Sequence, residues 1–367
     1  MKLKTILIFY TLLIVQLAFS IENEFNTDKS KNNFIFRGRV EQVSINSAFL
    51  ISSASSVTFS FKGTSTDYYL STNDSFEHDN YFVLELDGQY KGRYIIKPGN
   101  AQKFSVESSD ANVHVVTIYK ATEAANGTIF FDGTKTKNIV PTSIQTKRKI
   151  EFIGDSITCG MGNDLSIPCH TNHWFDQHNA YLAYGPVLSR KLGVDFLLSS
   201  ISGNGMYRNW NSENSEETVL PDVYNNLYQN KDNSKPFSTD FQPNLVSICL
   251  GTNDLSDGDG KKPRLPFNKE KYISNYIDFV KNIYKRYPNT RIVLLNSPMV
   301  SGEKNTLLVS CLKEVIAAFK DDKAHKPIGL FEFKEMKPKG CDYHPDAEDH
   351  KVIAAQMVDY FKQLLNE

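Results

Sequence analysis

The chain has 367 residues, of which 40% are hydrophobic and 23% charged, the make-up of a globular protein large enough for two domains. Its 41 Lys and Arg stand against 42 Asp and Glu, a formal net charge of -1 with no long basic run. A polyanion needs a dense cationic footprint, so nucleic acid is excluded as a partner.

Lys2 and Lys4 precede an apolar stretch over 6–19 that ends in Ala18-Phe19-Ser20, small residues at the two positions a signal peptidase reads. Residues 1–20 therefore read as a cleaved secretory signal. The alternative, a retained anchor, needs about 20 apolar residues, longer than this run. Residues 21–32 are polar and read as a flexible arm. No later segment is long and apolar enough to span a bilayer. The expectation is a soluble, secreted or lumenal protein with no membrane partner.

From 33 to 145, runs such as 57–61, 81–86 and 113–119 alternate apolar and polar residues between turns rich in Gly, Asn and Asp. That is the period of half-buried antiparallel strands. Asp87-Gly88 marks a hairpin. Six to nine strands without a helix predict a small all-β, jelly-roll-like sandwich. Two Asn-x-Ser/Thr acceptors, at Asn73 and Asn126, mark glycosylation sites if the host is eukaryotic.

From 146 to 367 strands and helices alternate. Strands are predicted at 150–153, 194–198, 245–250, 292–295 and 328–333, and helices at 181–191, 269–286, 306–319 and 347–365. The repetition implies an α/β domain, a parallel sheet flanked by helices on both faces. Such sheets carry their chemistry at the carboxyl ends of the strands. Ser156 follows the first strand, Gly203 the second and Asn253 the third, while His344 precedes the last helix and can fold back to the same edge.

An unactivated serine is a poor nucleophile, so the Gly154-Asp155-Ser156 turn gains meaning only with a base and oxyanion donors. Alone, Ser156 is more often a helix cap. Asp155 and Asp254 read as structural, and Asp346 as the cap of the last helix. Five cysteines leave at least one unpaired. Cys159 and Cys169 bracket a short loop beside the serine, and Cys311 with Cys341 would tie a helix to the histidine segment. Cys249, in an apolar strand, reads as a free buried thiol.

Gly154-Asp155-Ser156, Gly203 within Ile201-Ser202-Gly203-Asn204-Gly205, Gly251-Thr252-Asn253-Asp254 and His344-Pro345 resemble, in this order, the four sequence blocks of the SGNH (GDSL) hydrolases. A closer resemblance is to carbohydrate esterase family 2, in which a small sandwich precedes the SGNH domain. It rests on the run 154–160, on Tyr207-Arg208-Asn209 and on 117–123. The resemblance implies a deacetylase of plant-type polysaccharide, xylan or mannan, with Ser156 as nucleophile and His344 as general base. It implies an oxyanion hole of the Ser156 and Gly203 N–H groups and the Asn253 amide. Broader SGNH enzymes place an aspartate three residues before the histidine, where this chain has Cys341. Asp342, two residues before His344, is the candidate third member; the alternative is a backbone carbonyl and a Ser-His dyad.

The loop 169–178, with Cys169, His170, His173 and His178, has zinc-type ligands, yet its spacing matches no compact zinc module. It reads as a surface loop or a wall of the substrate cleft. Trp174, Trp210 and Tyr343 are the aromatics nearest the chemistry and candidates for stacking on sugar; otherwise they are core. The expected function is removal of acetyl from a carbohydrate ester by an acyl-enzyme route, without metal or organic cofactor. One alternative is a short-chain or lipid carboxylesterase. Another, of a different class, is a glycan-binding protein with a vestigial site. Oligomeric state is left open.

Overall fold

The computed structural model describes residues 33–73, 78–143, 147–171 and 173–367. The expected signal at 1–20 and arm at 21–32 lie outside the described residues. The first part comprises β1 Phe34–Arg37, β2 Val40–Ser44, β3 Ser47–Leu50, β4 Ser56–Lys62, β5 Ser65–Asn73, β6 Asn80–Leu86, β7 Gln89–Ile96, β8 Gln102–Glu107, β9 Val113–Lys120, β10 Thr128–Asp132 and β11 Ile139–Val140. These are eleven strands rather than six to nine. The additions include β1 and β3 of four residues and β11 of two, too short to display an alternation.

They form two antiparallel sheets, β1-β4-β9-β6-β7 with β11 on β4, and β2-β3-β10-β5-β8. Phe59, Phe82 and Ile118 from the first meet Leu50, Leu70 and Phe131 from the second in the sandwich core. Part of the first sheet is buried on its outer face as well, whereas Val113 and Val115 at the start of β9 are exposed. Ser56, Thr58 and Ser60 of β4 and Thr117 of β9 are buried, and Tyr81 and Val83 of β6 pack with Phe175 and Tyr181 of the second part. An alternating run read from sequence as half-exposed thus faces a core on one side and a neighbouring domain on the other.

The second part holds β12 Lys149–Gly154, β13 Asp195–Ser200, β14 Leu245–Cys249, β15 Arg291–Leu295 and β16 Gly329–Phe331, all parallel in the order β13-β12-β14-β15-β16. Its helices are α1 Ser156–Cys159, α2 Tyr184–Leu192, α3 Leu220–Val223, α4 Lys269–Arg286, α5 Gly302–Ala318 and α6 Ala347–Asn366. On α4, Tyr272, Tyr276, Phe279, Val280 and Ile283 recur at helical spacing and cover one face of the sheet together with Leu308 and Leu312 of α5. On the other face, Leu188 of α2 and Ile353, Met357 and Phe361 of α6 pack on Phe152, Leu198 and Val293.

Two helix starts differ from expectation. Residues 180–182 form a separate 3-10 turn before α2, and α5 begins at Gly302 instead of 306. Asp346 caps α6 as expected, its Oδ1 accepting from the Asp349 N–H at 2.8 Å. Among the described residues no helix is long and apolar enough to cross a membrane.

Candidate active site

Parallel register brings the site together. Gly154 of β12 pairs with Ser200 of β13 and with Cys249 of β14, so all three strands finish at one level. Within a few residues of that level stand Ser156, Gly203 and Asn253. The strand order reverses across β12 and β14, and ligands of open parallel sheets bind outside such a reversal.

The turn after β12 is forced by packing. A Cβ on Gly154 would lie 2.1 Å from Thr158 Oγ1, so only glycine allows α1 to fold back here. Asp155 caps α1, its Oδ1 accepting from the Ile157 N–H at 3.1 Å, and burial raises its carboxyl pKa to about 7. Ser156 is the first residue of α1, where the backbone N–H has no intrahelical acceptor. Its Oγ lies 2.7 Å from His344 Nε2.

His344 sits on a loop fixed at several points. Cys341 is bridged to Cys169, its N–H donates to Gly162 O at 3.0 Å, and the Gly340 N–H donates to His344 O at 2.7 Å. Asp342 and Tyr343 adopt positive φ of 52° and 63° to turn the ring toward the serine. His344 Nδ1 lies 2.9 Å from the backbone carbonyl oxygen of Asp342, so this nitrogen carries the proton and Nε2 is free to accept from Ser156. The Asp342 carboxylate turns elsewhere, with Oδ1 3.5 Å from His170 Nε2. Burial lowers the His344 pKa below the usual imidazole value.

Both expected cysteine pairings are corrected by the Cys169–Cys341 bridge, which leaves Cys159, Cys249 and Cys311 as free buried thiols. The partners are 172 residues apart in sequence, and only the packing of the histidine loop on the loop after Ser156 brings them together. Asn126 also departs from expectation: it is buried, with no room for a glycan, whereas Asn73 is exposed at the end of β5. The remainder of the Asn73 acceptor lies outside the described residues.

On the opposite side of the serine, Gly203 has φ of 76°, a backbone state that demands glycine although the space about it is open. Asn253 Nδ2 donates to Asn204 O at 2.7 Å and lies 3.5 Å from Asp155 Oδ2. Asp254 is structural: its buried carboxylate accepts from the N–H groups of Met206, Tyr207 and Arg208 at 2.9 to 3.2 Å. These contacts fix the segment that follows Gly203.

Ser156, Gly203, Asn253 and His344 line one cleft of about 920 Å³, whose walls include Trp174, Trp210 and Tyr343. None of these aromatics is core: they are 46%, 50% and 86% exposed. The ligand-type side chains of the 169–178 loop are engaged otherwise. Cys169 is bridged, the His173 ring stacks on Phe175, and His178 is buried with Nε2 3.6 Å from Glu123 Oε1.

Two residues of the sandwich were not singled out by sequence reasoning. Glu123 ends the 117–123 run and reaches into the second part of the chain, accepting from the Ser202 N–H at 2.7 Å. Arg39, fully buried, donates to Ser199 Oγ at 3.0 Å and to the carbonyls of Asn226 and Tyr224. Only the run around Glu123 carried a signal, as a mark of the esterase family. A serine hydroxyl, a neutral imidazole at hydrogen-bond distance and an amide donor on one cleft make a constellation suited to acyl transfer.

The sequence profile of the GDSL-like Lipase/Acylhydrolase family matches residues 152–351, and that of the Carbohydrate esterase 2 N-terminal region matches residues 36–141. The chain is thus a carboxylic ester hydrolase of the GDSL class. Within that class it belongs to carbohydrate esterase family 2. It is 31% identical over 301 residues to an acetylxylan esterase / glucomannan deacetylase of Cellvibrio japonicus, covering 78% of this chain and 79% of that one. It is also similar to the cellulase/esterase CelE of Acetivibrio thermocellus, 24% identical across 94% of this chain and 41% of that longer protein.

Among solved structures, a family two carbohydrate esterase from Clostridium thermocellum in complex with cellohexaose superposes with a TM-score of 0.79 at 23% identity, covering 91% of this chain and 99% of that one. A family 2 enzyme of Corynascus thermopiles gives a TM-score of 0.76 at 27% identity, with 91% and 100% covered.

Proposed function

We propose that this chain is a secreted serine esterase that removes acetyl groups from O-acetylated polysaccharide of the xylan or mannan type through an acyl-enzyme. The observation that carries the reading is the 2.7 Å approach of Ser156 Oγ to His344 Nε2 in the cleft that Asn253 and Gly203 also line. His344 takes the hydroxyl proton as Ser156 Oγ bonds to the acetyl carbon. The carbonyl oxygen becomes an oxyanion held by the N–H groups of Ser156 and Gly203 and the Asn253 amide. When the tetrahedral intermediate collapses, the C–O bond to the sugar breaks and His344 returns the proton to the departing alkoxide. Water then attacks the acetyl-serine by the same route and acetate leaves.

The printed function of the Cellvibrio relative supports the acetylated plant polysaccharide, and the exposed Trp174 and Trp210 supply flat faces for sugar rings. Export is supported by the leader-like residues 1–20 and by the bridge between Cys169 and Cys341, a bond of oxidising compartments. In this reading 33–145 is the sandwich domain and 146–367 the hydrolase domain. The cleft wall carries the polar Ser256, Asp259, Ser301 and Lys304 beside the apolar Met161, Leu255, Met299 and Val300, so turnover that rises with acyl length is the result that favours a lipase. Against a vestigial site stands the intact Ser156–His344 contact.

The test is release of acetate from acetylated xylan, glucomannan and an aryl acetate by wild type and Ser156→Ala. The substitution lowers turnover by at least about a thousandfold while the circular dichroism spectrum is retained. Comparable turnover by the variant removes Ser156 from the mechanism.

A further inference from the structure

We propose that Glu123, contributed by the β-sandwich, is a positioning residue of the esterase site, holding the oxyanion turn and the nucleophile helix in register. The sandwich then completes the catalytic centre rather than merely adjoining it. This rests on the esterase reading above.

The geometry begins where β9 leaves its sheet. The Ala121 N–H donates to Tyr81 O and Ala121 O accepts from the Ala180 N–H, both at 2.9 Å, so the chain is pinned between the two domains. Lys120 Nζ donates to Thr122 Oγ1 at 2.8 Å and to Glu123 O at 2.6 Å. The backbone bearing Glu123 is therefore fixed before its side chain makes any contact.

The carboxylate is 1% exposed and spans three parts of the site. Oε2 accepts from the Ser202 N–H at 2.7 Å and from Cys159 Sγ at 3.2 Å. Ser202 precedes Gly203, and Cys159 is the last residue of α1, whose first residue is Ser156. Oε1 faces His178 Nε2 at 3.6 Å, and the His178 ring meets Trp174 of the cleft wall edge-on at 4.9 Å between centroids. Burial pushes the carboxyl pKa up, but the nearby His178 and the Ser202 N–H outweigh it and hold the carboxylate below its usual value.

Gly203 has no side chain to anchor it, so the aim of its N–H depends on its neighbours. One anchor is the Trp210 N–H, which donates to Gly203 O at 2.7 Å. The other is the bond from the preceding amide to Glu123, and charge-assisted bonds of this kind are roughly twice as strong as neutral ones. Misplacement of a catalytic group by about 1 Å costs on the order of a hundredfold in rate.

The experiment measures kcat and KM on an aryl acetate per active site titrated with a phosphonate, and Ki for a boronic acid that forms a tetrahedral adduct on the serine. For Glu123→Ala, kcat falls by at least about thirtyfold, KM stays within about threefold, and boronate affinity falls in step with kcat. Glu123→Gln keeps an acceptor for Ser202 and falls by only about three- to tenfold in both. Tyr181→Phe, which removes a different interdomain bond, 2.7 Å to Glu85, retains wild-type values. Wild-type kcat and boronate affinity in Glu123→Gln overturn the proposal, even where the alanine variant fails to fold. So does a loss of stability in Glu123→Ala with boronate affinity intact. Ser156→Ala is assayed alongside: an active Ser156→Ala removes the esterase reading itself, whereas an inert one beside a wild-type-like Glu123→Gln removes the role of Glu123 alone.

Discussion

His344 is oriented by the main chain of Asp342: Nδ1 lies 2.9 Å from that residue's carbonyl oxygen, while its carboxylate stands 3.5 Å from His170. A carbonyl dipole fixes the tautomer as a carboxylate does, but stabilises the imidazolium less. What holds the ring is then the loop's backbone, and the loop is held by its own hydrogen bonds and by the cysteine bridge.

Asp342→Ala is expected to leave kcat within about threefold of wild type, since it removes the side chain and keeps the carbonyl that accepts from the ring. Loss of a triad carboxylate costs on the order of ten-thousandfold. Initial rates on an aryl acetate separate the two outcomes, and a fall beyond a hundredfold returns the carboxylate to the mechanism.

The pH profile follows from the environment of His344. Attack requires the neutral ring, and burial disfavours the charged one, so its pKa lies below the ordinary value. Activity is therefore retained as pH falls through the usual imidazole range and is lost only at lower pH. A plot of kcat/KM against pH shows its acid limb below about 6.5; a limb at or above that value contradicts the assignment.

Reduction, or Cys169→Ser, frees the histidine loop from the loop that follows Ser156. Losing such a bridge costs about 2–4 kcal/mol, read from denaturant unfolding. Turnover is expected to fall with it, because the positive φ angles at Asp342 and Tyr343 lose an anchor. Equal stability and equal kcat in reductant would show that the bridge holds nothing.

Arg39→Ala tests the domain seam. The guanidinium is fully buried, shares Ser199 and Tyr224 with the buried Glu151, and lies 4.1 Å from the Phe237 ring centroid. Burial brings its pKa to about 10, so it remains cationic at neutral pH. Removing it leaves Ser199 Oγ and the buried carbonyls of Asn226 and Tyr224 without their donor, at a cost of about 1–3 kcal/mol. A midpoint of unfolding unchanged from wild type would mean that this guanidinium contributes nothing to docking.

Sequence made the sheet legible because β12, β14 and β15 are short apolar runs between amphipathic stretches, and Ser156 and Asn253 were legible because each follows such a run. His344 was legible through the His344-Pro345 block, which resembles the last of the four SGNH blocks and stands just before the final helix. The cysteine pairing was not legible, since spacing along the chain says nothing about two loops that meet only after folding. Glu123 and Arg39 escaped for a related reason: each is a charged residue whose partners belong to the other domain. The strands of the first sheet looked half-exposed because alternation reports chemistry on each face, and the small hydroxyl residues Ser56, Thr58 and Ser60 are as compatible with a neighbouring protein surface as with water.

Synthesis proceeds from the amino end, so the strands carrying Tyr81, Val83 and Tyr119 leave the ribosome before Phe175, Tyr181 and Phe196 exist to meet them. Until translation of the remainder is finished, the nascent sandwich presents these side chains uncovered among the hydroxyl groups of Ser56, Thr58 and Thr117. Shortened versions of this polypeptide that keep only the first half leave the same aromatic and aliphatic groups without their lid.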